Sequence, residues 1–459
     1  MSANSKQPGK GDRVGLEQAL TIDRPLASFL PERLGAAHRM VAEHWLGRSA
    51  GAAPTSTNQD AQELPFQRWY RFKEAFAPRA VVDAITALDQ QPATCTDPFG
   101  GSGTTALTCQ FLGIRPTTIE VNPFLADLIE AKLSRYDVTA LMADYRETVD
   151  RAWASRPDPS QAMIGAPPTF FEPGVNGRWI FSIEVASQIL AFRLAIDALP
   201  DRKHARVLRV LLGSVLISCS NVVISGKGRR YRSGWSKRSV TRADVARLFE
   251  GAFIVAVEDI CRYGPRPCGD YTLLRGDARK ILAEAPPSDL ALFSPPYPNS
   301  FDYTDIYNVE LWMLGYLRNR DDNRALREST FRSHVQIKRC YSATISSPLL
   351  REVVERLGAK RSQLWDAEIP DMVAAYFDDL ATVLSGLWHA MRPGASVMMV
   401  VGDSRYADVS IDVGAISTEM AATLGYRLVE RRPMRSMRSS AQQGGRFELG
   451  ETLIHLTRE

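Results

Sequence analysis

The chain has 459 residues, more than one compact core requires, so one catalytic-sized domain with substantial additions is expected. Apolar residues make up 45% and charged residues 24%, which excludes a fibrous or wholly disordered chain, while a net charge of +4 is compatible with a polyanionic partner without demanding one. Six cysteines (Cys95, Cys109, Cys219, Cys261, Cys268, Cys340) follow neither zinc spacing nor a secreted disulfide framework, which predicts no metal and a reduced, cytoplasmic setting. No signal peptide is expected, because residues 1–12 are polar and glycine-rich. The most apolar run, 210–219, is too short to span a bilayer, so no membrane partner is expected.

In chain order, residues 1–14 read as disordered and 47–62 as a Gly/Ala/Ser/Thr linker, with helical spacing over 26–46 between them. Short apolar runs at 93–96 and 116–120 read as strands, with a helix over 106–112. A long, mostly helical stretch follows, with patterns at 127–136, 180–199, 203–219 and 242–263. Strands resume at 271–274, 290–293 and 396–401, and 426–431 with 452–456 reads as a closing antiparallel pair. The expected division is an N-terminal tail and helix (1–64), a first catalytic part (65–135), a helical insertion (136–269), and a second catalytic part (270–459) with its own insertion at 318–370.

The strand at 93–96 opens into Asp97-Pro98-Phe99-Gly100-Gly101-Ser102-Gly103-Thr104-Thr105. Glycines let the backbone turn sharply and come close to a ligand, and the free amides of the next helix carry partial positive charge. Asp97 supplies the opposite sign, so the loop suits a ligand with both an ammonium and a carboxylate, as a methionine moiety has. Glu120, ending the next strand about 20 residues on, is positioned to accept from ribose hydroxyls. Nicotinamide-binding folds share that geometry, and a ligand-free tight turn is the plain alternative. A phosphate loop is disfavoured, since no Gly-Lys-Ser/Thr follows the glycines.

The strand at 290–293 opens into Ser294-Pro295-Pro296-Tyr297. Two prolines fix φ and remove two donors, leaving carbonyls to accept from an amine. Ser294 adds a hydroxyl acceptor and Tyr297 an aromatic face on which a base can stack. Acceptors around an aromatic amine favour a tetrahedral nitrogen whose lone pair points at an electrophile. A proline-rich turn capping a strand is the plain alternative.

Within the helical stretch, residues 225–238 are glycine-jointed and basic, with Lys227, Arg229, Arg230, Arg232, Lys237 and Arg238 interleaved with Tyr231 and Trp235. The run fits phosphate contacts by a loop that orders on binding DNA. A solvated loop is the plain alternative. Residues 318–370 form a second basic candidate, with Arg324, Arg327, Arg332, Lys338 and Arg339.

The two loops together resemble the amino-group DNA methyltransferases, which modify cytosine N4 or adenine N6. The resemblance implies an α/β fold: a Rossmann-like methyltransferase sheet, mostly parallel, with an antiparallel last strand and a large helical insertion. It implies S-adenosyl-L-methionine as cofactor and DNA as partner, with the target base extruded from the stack. Cognate restriction or defence proteins are further partners of this kind. Residues 69–78, including Phe72 and Lys73, are similar to the family's segment against the methionine end. Asp277 is similar to the third-strand acid that contacts the adenine, and Asn299 to Tyr303 continue the catalytic loop. Ser294 resembles the cytosine-N4 branch by association, and adenine N6 stays as the alternative. The glycine loop comes first in the chain, which departs from the commonest layout of the Ser-Pro-Pro-Tyr group.

Four rivals are weaker. A dehydrogenase leaves Ser294-Pro295-Pro296-Tyr297 unexplained, and a cytosine-C5 enzyme would need Glu-Asn-Val, absent here, beside its Pro-Cys. An RNA N-methyltransferase more often carries Asp or Asn before Pro-Pro. A DNA-binding protein that has lost activity is at odds with a chain in which each expected catalytic position is filled.

Overall fold

In a computed structural model, the protein is described over residues 30, 35–50, 63–72, 77–225, 228–299, 301–345, 347–438 and 448–459. Eleven strands occur among these residues. In chain order they are β1 (Thr94–Asp97), β2 (Arg115–Glu120), β3 (Val222–Ser225), β4 (Gly228–Tyr231), β5 (Thr272–Arg275) and β6 (Ser288–Phe293). Then follow β7 (Met391–Gly402), β8 (Ser404–Tyr406), β9 (Val409–Ile411), β10 (Tyr426–Arg438) and β11 (Glu448–Arg458).

Seven of them form one sheet in the order β10-β11-β7-β6-β1-β2-β5. Strands β5, β2, β1, β6 and β7 run parallel, and β11 is antiparallel to both β7 and β10. Period-two alternation sends neighbouring side chains to opposite faces. Leu290, Leu292, Met398 and Val400 enter the core on one face; Ala291, Phe293, Val397, Met399 and Val401 enter the core on the other. The first core takes the helices Thr104–Phe111 and Pro123–Leu133 together with most of the helical stretch, and the second takes Ile369–Ala390 and Val413–Thr423.

Strand order reverses between β1 and β6, which are hydrogen-bonded neighbours through Cys95↔Leu290 and Thr96↔Ala291. The carboxyl ends of two strands that diverge in winding leave a crevice between their loops, the usual ligand position in such sheets. Both motif loops therefore open at one place. The order and the antiparallel β11 make this a Rossmann-like methyltransferase sheet.

Between β2 and β5 lie long helices at Val138–Trp153, Ile183–Asp197, Arg202–Cys219 and Arg242–Tyr263. Arg242–Tyr263 starts from a reciprocal capping box between Thr241 and Asp244. Asp127 and Glu130 of Pro123–Leu133 join this unit to the sheet, through Arg206 (3.4 and 3.1 Å) and through Arg275 at the end of β5 (2.7 and 2.6 Å). Residues 47–50, expected in a linker, instead finish the helix Ala36–Ala50. Trp45, buried and stacked on Phe111 at 4.2 Å, anchors that last stretch to the core. Residues 1–14 and 51–62, and most of 26–34, lie outside the described residues. Among the described residues, no helix is long and apolar enough to cross a membrane.

Candidate active site

Gly100 sits where its backbone presses on the sheet: a Cβ there would stand 2.3 Å from Thr118 and 2.7 Å from Ile129. Gly103 holds φ of +78° as it caps the helix Thr104–Phe111, a conformation that costs other residues strain. The turn between them brings the Gly101 amide to Glu120, donating to Oε2 at 2.7 Å. Glu120 Oε1 accepts from the Asn122 amide at 2.8 Å, and Asp97 Oδ1 accepts from the Phe99 amide at 2.9 Å.

Asp97 and Glu120 are both buried, and burial pushes each carboxyl up to about 7. The Asp97 charge adds to the shift at Glu120. Two acids sharing a desolvated crevice strain against their own ionisation, and a cation between them relieves that strain. The crevice suits a positively charged ligand.

The loop is braced from below. Lys132, fully buried, donates to the Ser102 carbonyl at 2.7 Å and to Gln67 Oε1 at 3.0 Å; burial lowers its ammonium to about 7. Ser102 and Thr104 hydroxyls lie 3.1 Å apart, and Thr105 is buried in the first helical turn. Phe99, next to Pro98, packs on Phe293 and Phe331.

The segment before β1 is held by the insertion. Asp259 of Arg242–Tyr263 accepts from the Phe66 amide (2.8 Å), Trp69 Nε1 (2.9 Å) and Arg68 (2.7 Å). Phe72 then lies along Gly101, 3.5 Å from where a Cβ would be, and stacks on Tyr307 at 5.4 Å. Lys73 lies outside the described residues. Asp277 caps the helix Ala278–Ile281 and pairs with Arg279 at 2.7 Å, so its carboxylate is already partly engaged; Gly276 N–H donates to the Glu120 carbonyl, which keeps this turn beside β2.

At the end of β6, Ser294 Oγ donates to the Val400 carbonyl at 2.9 Å and stands 3.3 Å from Tyr297 Oη. Tyr297 Oη donates to Glu451 Oε1 at 2.8 Å, and burial raises the Tyr297 phenol far above its ordinary range. Pro295 is buried and Pro296 half-buried between them, and Tyr406 Oη fixes the next carbonyl, Pro298, at 2.9 Å. Glu451, Tyr406, Lys132 and Gln67 were not among the residues singled out from sequence. Glu451 had a signal: a lone acid opening the apolar run of the last strand.

The basic run is a hairpin of β3 and β4, with Ser225 paired to Gly228 and Gly226 and Lys227 outside the described residues. The expected loop is replaced by strands because Val222 is buried against the insertion core, and because Arg232 ties down the hairpin's far end. Arg232 donates to the Ile217 and Ser220 carbonyls, and Arg238 to the Ser218 carbonyl, all at the C-terminus of Arg202–Cys219. Arg230 and Lys237 are exposed, and Arg229 lies 3.7 Å from Asp305 in the helix Tyr303–Ile306 that follows the loop after β6. In the second basic stretch, Arg327 pairs with Asp302, Arg332 with Asp378 and Asp379, and Arg339 donates to the Phe331 carbonyl. Arg327 thereby staples the loop that follows Tyr297, while Arg332 ties its own segment to the helix Ile369–Ala390 and Arg339 folds that segment on itself. Cys268 precedes β5, at the amino ends of the strands and away from both loops, so it is no nucleophile for this site.

Sheet order and paired loops define the class: a Rossmann-like methyltransferase. Particular relatives agree. The chain is 26% identical over 399 residues to the Type II methyltransferase M.AvaI of Nostoc sp., covering 81% of each. It is 26% identical over 439 residues to the Type II methyltransferase M.BsoBI of Geobacillus stearothermophilus, covering 83% of this chain and 82% of that one. The chain is thus similar along most of its length to these Type II methyltransferases. No protein-family model matches it. A crystal structure of TrmN from Thermus thermophilus aligns with a TM-score of 0.27 at 11% identity, over 83% of this chain and 48% of that one, too loosely to add to the argument from strand order.

Proposed function

We propose that the chain is a site-specific DNA methyltransferase that transfers a methyl group from S-adenosyl-L-methionine to the exocyclic amine of an extruded base, N4 of cytosine. The observation that carries the reading is the meeting of the glycine loop and Ser294-Pro295-Pro296-Tyr297 on adjacent strands β1 and β6. The residues present fit the cofactor. Asp97 and Glu120 form a buried acidic pair that favours a cationic ligand, and the close-packed turn at Gly100 leaves backbone amides rather than side chains toward it. When bound, the cofactor supplies an electrophilic methyl group.

The rest falls to the chain. Asp97 and the amides at the start of Thr104–Phe111 would hold the amino-acid end, Glu120 the ribose, and Asp277 the adenine, with Phe72 closing over Gly101. Ser294 directs its hydrogen to protein acceptors, which leaves its lone pairs for the hydrogens of an amine. The pyramidal nitrogen this favours is the nucleophile. Arg229, Arg230 and Lys237, with Lys227, would meet DNA phosphates beside the catalytic loop. The helical stretch 136–269 is on this reading the DNA-facing addition, and the enzyme works in the cytoplasm alongside a restriction or defence partner.

The relatives' Type II designation agrees with a restriction–modification setting. Incubating the purified chain with S-adenosyl-L-methionine and genomic DNA, then analysing digested nucleosides by mass spectrometry, tests the reading. N4-methylcytosine is expected; N6-methyladenine alone would move the target to adenine, and methylation of RNA but not DNA would sink the proposal.

A further inference from the structure

We infer that Glu451 is a positioning residue for methyl transfer, the end of a hydrogen-bonded chain that draws the proton from the methylated amine. This rests on the reading of Ser294-Pro295-Pro296-Tyr297 as the amine-gripping loop. Glu451 lies near the start of β11, opposite Gly402 of β7, and only 3% of it is exposed. An acid just before the apolar run 452–456 has no part in the sheet's hydrophobic packing. Its contacts include the loop after β6, where Tyr297 Oη donates to Oε1 at 2.8 Å.

The donors run in one direction. Tyr297 gives its hydrogen to Glu451, so toward Ser294 its oxygen is an acceptor; Ser294 Oγ lies 3.3 Å away with its hydrogen also facing the Val400 carbonyl. Ser294 in turn can accept only from what stands before it, the amine. Transfer from a sulfonium donor forms an N–C bond and breaks the donor's C–S bond, whose electron pair goes to sulfur. The nitrogen becomes cationic and one of its N–H bonds must release a proton. That proton passes to Ser294 Oγ, the Ser294 proton to Tyr297 Oη, and the Tyr297 proton to Glu451, leaving a neutral carboxylic acid. After the product departs, the same path run in reverse returns the proton to water. A buried carboxylate at this distance also stabilises the cationic nitrogen as it forms, since the intervening groups are desolvated.

The test uses the full chain and a DNA that the wild type methylates. Glu451→Gln keeps an acceptor for Tyr297 but has no basicity; Tyr297→Phe keeps the ring and removes the link. Both should bind S-adenosyl-L-methionine and DNA as the wild type does, and each should slow single-turnover transfer by about 100-fold, the usual range for a lost acid–base function. Combining them should cost no more than either alone, because both cut one chain. Wild-type rates in Glu451→Gln, or losses that multiply in the double variant, would overturn the inference. Should Glu451→Gln fail to fold, Tyr297→Phe decides: a wild-type rate there is equally fatal. A wild type that methylates no DNA at all would instead remove the proposed function on which the inference stands.

Discussion

Asp97 and Glu120 bring the chemistry of the proposed cofactor crevice down to two carboxyl groups. Their folded-state values near 7 lie above the ordinary 3.8 and 4.5, so between those limits the folded chain holds more protons than the unfolded one. The stability they contribute is full below about pH 4 and is lost as pH rises through about 7. Thermal melts of the ligand-free chain should therefore fall across that window, and Glu120→Gln should flatten the fall; an unchanged profile would mean that Glu120 is ionised in the folded protein. Lys132, lowered from 10.5 to about 7, works in the opposite sense and adds stability as pH rises from 7 to 10. Glu120→Ala should weaken S-adenosyl-L-methionine binding by about 1–3 kcal/mol, the value of a lost charged partner, as measured by calorimetry. On the proposed reading Ser294 faces the amine, so Ser294→Ala should leave that affinity intact and slow methyl transfer.

The elements differ in how far the sequence discloses them. Strand positions came from apolar runs ending in glycine or proline, a signal local enough to read, and the helix at 242–263 coincides with Arg242–Tyr263. Hairpin β3–β4 was hidden, because glycines at 226 and 228 among arginines carry the composition of a loop; what makes it a hairpin is contact with a helix terminus and a buried Val222. That contact divides the arginines by task. Removing Arg230 and Lys237 should lower DNA affinity on every sequence and make the log–log salt dependence shallower by about 2, near 0.9 for each phosphate contact. Arg232→Ala should instead lower the melting temperature, on the order of 1 kcal/mol for a cation lost from a helix C-terminus. Equal salt slopes in wild type and the Arg230/Lys237 variant would return the run to a solvated surface. Partners distant in sequence, such as Lys132 for Ser102, leave no local trace, and the acid at 451 marks a position without pointing to Tyr297, which is why the loops were legible and their supports were not.

At the scale of the molecule, the helical stretch between β2 and β5 is a structural part of the crevice. Asp259, 1% exposed, gathers Phe66, Arg68 and Trp69, and so sets the course of the chain that leads to Phe72. Asp259→Asn should destabilise the fold by about 3 kcal/mol, as for one partner removed from a buried ion pair, and should weaken cofactor binding although no contact with cofactor is lost. Unchanged affinity in a folded Asp259→Asn chain would uncouple the two. On the proposed reading the stack of Phe72 on Tyr307 extends this linkage, because Phe72 flanks Gly101 of the glycine loop while Tyr307 follows Ser294-Pro295-Pro296-Tyr297 in the chain. A ligand that fixes one ring fixes the other, and free-energy coupling between sites is reciprocal. Cofactor should therefore tighten the grip on DNA by the same factor by which DNA tightens the grip on cofactor, and Phe72→Leu should bring both factors toward one. Binding in this protein would then be cooperative between unlike ligands, with a pair of stacked rings as the messenger.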